Sequence, residues 1–141
     1  MPIIRSEHLI QSVADALQYI SYYHPLDFVK AVNEAYEKEE SPAAKDAMAQ
    51  ILINSRLCAE GKRPICQDTG IVTVFLKIGM NVEWEAGMSV TEMVNEGVRR
   101  AYLLPDNVLR ASILDDPAGA RTNTNDNTPA VIHMDLSLIH I

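Results

Sequence analysis

From Leu9 to Ile20 the apolar residues Leu9, Val13, Leu17 and Ile20 recur at helical spacing, with Ile10 beside them. Ser6 is placed to cap this helix, and the run "YYHP" ends it by Pro25. Phe28, Val32, Ala35 and Tyr36 form a second amphipathic stripe that closes on the charged run Glu37 to Glu40. Ser41-Pro42 then reads as a helix start, because a proline loses nothing at a position whose N–H has no intrahelical partner. The third helix should reach about Glu60, burying Ala44, Ala47, Met48, Ile51, Leu52 and Ser55, with Gly61 as its left-handed stop.

After residue 70 the period changes to two. Val72, Val74, Leu76 and Ile78 make a wholly apolar face, whereas Ile71, Thr73, Phe75 and Lys77 make a mixed one, which predicts a strand near 71–78. Ser89 and Glu92 stand three apart as a capping box, opening a helix that buries Val90, Met93, Val94, Val98 and Ala101 and stops by Pro105. A short turn near Asn107 to Leu114, the polar loop "DDPAGARTNTNDNTP" and a strand near 130–135 follow. Helices lead and a sheet assembles late, so the expected class is α+β.

Composition narrows the function. A chain of 141 residues with 48% hydrophobic and 22% charged positions can build one ordinary domain with a core, and no apolar run is long enough to span a bilayer. A net charge of −7 argues against nucleic acid and against an anionic membrane surface as partners. The start "MPIIRSEHLIQ" shows no secretory pattern, so a reducing cytoplasm is the expected compartment and a disulfide between Cys58 and Cys66 is not. Neither cysteine has the spacing or the histidine neighbours of a zinc site. The loop "PAGAR" lacks the glycine spacing of a phosphate or dinucleotide fingerprint.

The last six residues, "LSLIHI", follow the final strand without a turn. Their back-translation can spell the mosaic end used in transposase-prepared sequencing libraries. We therefore expect Leu136–Ile141 to be a non-native tail, and residues 1–135 to be the N-terminal portion of a longer protein.

The chemistry concentrates at "RPICQDTGI", where Cys66, Gln67, Asp68 and Thr69 set a thiol, an amide, a carboxylate and a hydroxyl side by side. Together with "ILINSRLCAEGK", "VNEGVRRAY", "NVLRASILDDP" and "NTNDNTPAVIHM", this stretch resembles the class I fumarases, the iron–sulfur fumarate hydratases. The likeness covers nearly the whole chain before the tail and implies the helix-rich N-terminal part of their α-type domain. It also implies reversible hydration of fumarate to L-malate with a [4Fe–4S] cluster held by three cysteines. Cys66 matches the first ligand, and the other two, the general base and a β-type domain would lie further along or on a β subunit. Cys58 matches no ligand position.

The resemblance gives Gln67 a substrate-binding amide and Asp68 a contact to the substrate hydroxyl with a part in acid–base chemistry. It gives Arg110 a substrate carboxylate, which a planar guanidinium can hold through two parallel bonds. A homodimer is implied for the intact enzyme, and this segment alone should be inactive. The α subunits of L-tartrate dehydratases share "CQDTG", although the longer run looks closer to the fumarases. A reading of another class is a non-catalytic helical binding module that retains the motif. On residue type alone Cys66 is a buried thiol, Asp68-Thr69-Gly70 a turn, and Arg110 a surface arginine. Arg99, Arg100 and Arg121 read as solvated or structural, and His8, His24 and His133 as core or surface residues. Asn123 to Thr128 read as loop and strand entry near the site.

Overall fold

The computed structural model describes residues 3–107 and 109–138. Its elements run β1 (Ile3–Ile4), α1 (Ser6–Tyr22), α2 (Leu26–Lys38), α3 (Pro42–Gly61), β2 (Thr73–Gly79), β3 (Glu83–Trp84), α4 (Val90–Leu103) and β4 (Val131–Ser137). This is the helix-rich α+β class expected from the periodicity. The chain divides into two compact units, residues 1–17 with 68–141, and residues 18–67.

The first unit holds the main core. Val13, Ala14 and Leu17 of α1 pack with Val94, Val98 and Ala101 of α4 and with Val72 at the entrance to β2. Met93, Val94 and Val98 are fully buried, and each such side chain contributes about 1.5–3 kcal/mol relative to exposure. The α4 stripe follows the expected positions, and the capping box forms: the Ser89 hydroxyl accepts from Glu92 N–H while the Glu92 carboxylate accepts from Ser89 N–H. Gly97, also buried, brings α4 against the α1 backbone at Ile10.

β2 and β4 pair in parallel, from Thr73 opposite Val131 to Gly79 opposite Ser137. Parallel neighbours need a long crossover, and α4 lies within it. Val72 is buried and Val74, Leu76 and Ile132 pack against the core, while Ile71 and Phe75 stand 64% and 77% exposed on the other face. There His133 stacks on Phe75 with ring centres 4.8 Å apart. Leu136 and Ser137, the first residues of the expected tail, extend the ladder opposite Ile78 and Gly79. Residues 139–141 of that tail lie outside the described residues, as does Val108.

Three local expectations are corrected. Ser6 is the first helical residue of α1 rather than its cap, and its N–H is taken by the Glu85 carboxylate at 3.0 Å. An acidic group brought from beyond β3 therefore serves the positive end of the helix. The left-handed residue after α3 is Lys62, with φ 46°, and Gly61 is the last helical position. The turn expected near Asn107–Leu114 falls earlier, at Pro105–Asp106, and Leu114 forms an antiparallel bridge with Asn123.

In the second unit α2 packs on α3. Ser41 and Pro42 begin α3 as expected, but Ile51 is 43% exposed, and among the described residues of α3 only Cys58 is buried. Its partner helix α2 contributes no buried residue, so the expected apolar stripe of α3 is only half covered. Among the described residues no helix is long and apolar enough to cross a membrane.

Candidate functional site

The boundary between the units falls inside the "CQDTG" motif. Cys66 and Gln67 end the second unit, and Asp68 begins the long stretch of the first. Each side has anchors within its own unit.

On the Cys66 side, the segment after α3 is tied down just before the thiol. Ile65 N–H donates to Ser21 O at 2.9 Å, and the Asn54 amide donates to Ile65 O at 3.0 Å. The Cys58 thiol donates to Pro64 O at 3.4 Å. Cys58 is thus a buried residue bonded to the loop backbone. Cys66 is exposed and outside any disulfide, contrary to the buried thiol expected from residue type alone. Gln67 beside it is also exposed.

On the Asp68 side, Gly70 has φ +61°, a left-handed turn that glycine enters without the penalty of a Cβ. The chain then drives Val72 into the core, where Val131 N–H donates to Val72 O at 2.9 Å. Asp68 is exposed. The Thr69 hydroxyl between them is buried and has no hydrogen-bond partner among the described residues.

Arg110 is exposed and lies on an irregular segment clasped from both ends. The Asn107 amide donates to Tyr102 O and Leu109 O, and Leu109 N–H donates back to Asn107 Oδ1. Beyond Arg110, the Asn123 amide donates to Ala111 O at 3.0 Å, and Ser112 N–H donates to Asn127 Oδ1 at 2.9 Å. Asn127 also donates from Nδ2 to Gly70 O at 3.4 Å. One side chain therefore brings the segments of Asp68 and Arg110 together. Sequence reasoning placed 123–128 near the site without singling out Asn127. The asparagine repeat "NTNDN" was the available signal, since Asn125 and Asn127 both take positive φ, which asparagine tolerates better than most residues.

A charge network steadies this loop. Asp126 accepts from Thr128 N–H at 3.0 Å and from Arg99 Nε at 3.1 Å. Burial pushes its carboxyl upward, but the bonds from Thr128 and Arg99 outweigh that and hold it below the ordinary value. Glu96 is held low chiefly by its bond from Arg100 and then by that from Arg99. Arg100 also pairs with Glu7 of α1. These two arginines are structural, as expected.

The donor set suits an iron–sulfur cluster in part. An exposed thiol is the soft ligand such a cluster takes, and in sequence a carboxylate and a buried hydroxyl without a described hydrogen-bond partner follow it. Among the described residues no three His, Cys, Asp or Glu side chains form a group able to hold a metal ion.

Comparison with known proteins follows the same line. The family model described as "Fumarate hydratase (Fumerase)" matches residues 10–138. A putative L(+)-tartrate dehydratase subunit alpha of Methanocaldococcus jannaschii is 35% identical over 130 residues, covering 89% of this chain and 45% of that protein. A putative class I fumarate hydratase of Geobacillus stearothermophilus is 27% identical, covering 86% of this chain and 22% of that protein. The anaerobic class I fumarate hydratase of Escherichia coli K12 is 32% identical over 99 residues, covering 70% and 18%. The chain thus spans less than half the length of these relatives. With a match over nearly its whole length, the chain belongs to the fumarate hydratase family of hydro-lyases.

Proposed function

We propose that this chain is the N-terminal portion of a hydro-lyase that hydrates fumarate reversibly to L-malate. The observation that carries the reading is Cys66, an exposed thiol presented from an anchored loop directly before Gln67 and Asp68, in a chain of this family. Residues 1–135 are the native part in this reading and Leu136–Ile141 an appended tail. The remainder of the enzyme, on the same chain or a β subunit, supplies two further cluster cysteines and the general base. The segment alone is then inactive, and the intact enzyme is a cytoplasmic homodimer.

Hydration adds a proton to one alkene carbon and hydroxide to its neighbour, with no net redox change. A bound [4Fe–4S] cluster would supply a Lewis-acidic iron for the hydroxyl and carboxylate oxygens of the substrate. Cys66 would hold that cluster through its thiolate. The Gln67 amide would bind the substrate by hydrogen bonding, and Asp68 would accept from its hydroxyl and assist the proton transfer there. Such a group must lie within hydrogen-bond reach of the proton it moves, and its place two residues from Cys66 makes that feasible. Arg110 would take a substrate carboxylate through a bidentate pair.

L-Tartrate is a second reading, favoured by the 35% identity to a tartrate dehydratase subunit over 130 residues. Both substrates are small dicarboxylates that gain or lose water. The test is the intact protein, anaerobically reconstituted with iron and sulfide and offered fumarate, L-malate and L-tartrate. Turnover of fumarate and malate above tartrate supports the first reading, and the reverse order the second. A fully loaded protein inert towards all three would favour a non-catalytic binding module. Activity should also fall in air and return with ferrous iron and a thiol under anaerobic conditions, because cluster stability depends on exposure.

A further inference from the structure

We propose that Asn127 is a positioning residue that sets the spacing between Asp68 and Arg110; the inference rests on the site roles just proposed. Asn127 is fully buried and has φ +59°. A buried amide is unfavourable unless its polar atoms are bonded, so its place in the core points to the bonds it makes. Its oxygen accepts from Ser112 N–H at 2.9 Å and its nitrogen donates to Gly70 O at 3.4 Å. Both backbone groups lie outside helices and strands. Other bonds hold the neighbouring positions, Asn123 Nδ2 on Ala111 O, Thr124 N–H on Ile113 O and Val131 N–H on Val72 O, and Asn127 alone among these joins the two segments to each other.

The geometry converts this clasp into a distance constraint. Asp68 is two residues from Gly70, and Arg110 is two residues from Ser112. Two residues of chain reach at most about 7 Å, so each functional side chain hangs on a short tether from the same amide. A dicarboxylate held by its hydroxyl at one point and a carboxylate at another depends on that separation. The Asp126 turn and its bond to Arg99 fix the backbone just before Asn127, so the clasp is itself supported from α4. Cys66 is anchored through Ile65 in the other unit, and cluster loading should not depend on Asn127.

The test uses the intact enzyme with three substitutions. Asn127→Gly keeps the left-handed backbone and removes both bonds. Asn127→Asp keeps an oxygen for Ser112 N–H and removes the donor to Gly70. Asn95→Ala removes a comparable side-chain bond, from Ala130 N–H at 2.9 Å, and controls for stability loss. We expect Asn127→Gly to speed hydrogen–deuterium exchange in the peptides around 70–72 and 110–113. It should raise KM for the dicarboxylate about ten- to a hundredfold, the scale on which misplacement is felt, with iron content and visible absorbance unchanged. Asn127→Asp should speed exchange around Gly70 alone and raise KM less, and Asn95→Ala should leave KM unchanged.

If exchange rises in the Asn127→Gly protein while KM and kcat stay within about twofold of the parent, the clasp exists and positions nothing, and the proposal fails. It fails equally if exchange does not change. Should Asn127→Gly not fold, Asn127→Asp decides by the same KM comparison. A parent enzyme that turns over no dicarboxylate sinks the functional reading instead, and unchanged exchange in the variants would then remove the clasp as well.

Discussion

Replacing Gly97 by alanine should destabilise the protein, although alanine is the better helix former. Gly97 sits in α4 where an added Cβ would lie 2.7 Å from Ile10 O and 2.7 Å from Val13 Cβ, with Val13 Cγ1 at 2.9 Å. Carbon contacts are comfortable at about 3.5–4.0 Å, so the shortfall is most of an ångström on three atoms at once. None of them can step aside cheaply. Ile10 O is backbone within α1, and a helical valine is held near one χ1 rotamer. Alanine regains about 1 kcal/mol of helix propensity over glycine, while overpacking a filled core costs about 1–3 kcal/mol and here also pries α4 from α1. The net expectation is a loss of up to about 2 kcal/mol, or up to roughly 12 °C in Tm for a chain of this size. Gly61→Ala is the matched control. It also ends a helix residue's glycine penalty, but its Cβ meets only the Arg63 side chain at 3.6 Å. Thermal melts followed by circular dichroism should show Gly97→Ala below the parent and Gly61→Ala at or above it. A Gly97→Ala protein as stable as the parent would falsify the close approach of α1 and α4.

Other expectations are checked more simply. Ser89→Ala removes the cap of α4 and should cost about 1 kcal/mol in urea unfolding; no change would mean the capping box is idle. In the intact enzyme Cys66→Ser should lose iron and visible absorbance, whereas Gln67→Ala should keep both and weaken turnover or binding; normal iron in both would make the motif structural. Arg110→Lys should mainly raise KM, since lysine retains the charge but not the bidentate fork; an unchanged KM removes Arg110 from the site. Glu96 and Asp126 have folded pKa values below their ordinary 4.5 and 3.8. Their stabilisation is therefore complete above those ordinary values and is lost as pH falls through the lower folded ones. Tm should drop in acid, less steeply in Arg99→Met, and equal slopes would clear the network of that role.

Local pattern alone carried a good deal of this molecule. The α4 stripe, its Ser89–Glu92 box, the Ser41-Pro42 start and the alternating β2 face are all short-range properties, decided by residues within a turn or two of each other. Recognition of the family rested on "CQDTG" and its flanking runs, which are contiguous too. Where the reading slipped, a distant partner had intervened. Glu85 took over the N–H at the start of α1, so Ser6 joined the helix. Lys62 rather than Gly61 took the left-handed position, because where α3 stops depends on how the following loop is tied to Ser21, Asn54 and Cys58.

The parallel register of β2 and β4, the approach at Gly97 and the clasp at Asn127 were beyond any local pattern. Periodicity says which face of a strand is apolar, but parallel pairing is set by a crossover of some fifty residues between the paired strands. Asn127 is bonded to Gly70, 57 positions away. In sequence it is one asparagine in a polar loop; only folding desolvates it and makes its two bonds matter. The residue types that could perform the chemistry were written locally, whereas the spacing between Asp68 and Arg110 is a property of the tertiary structure.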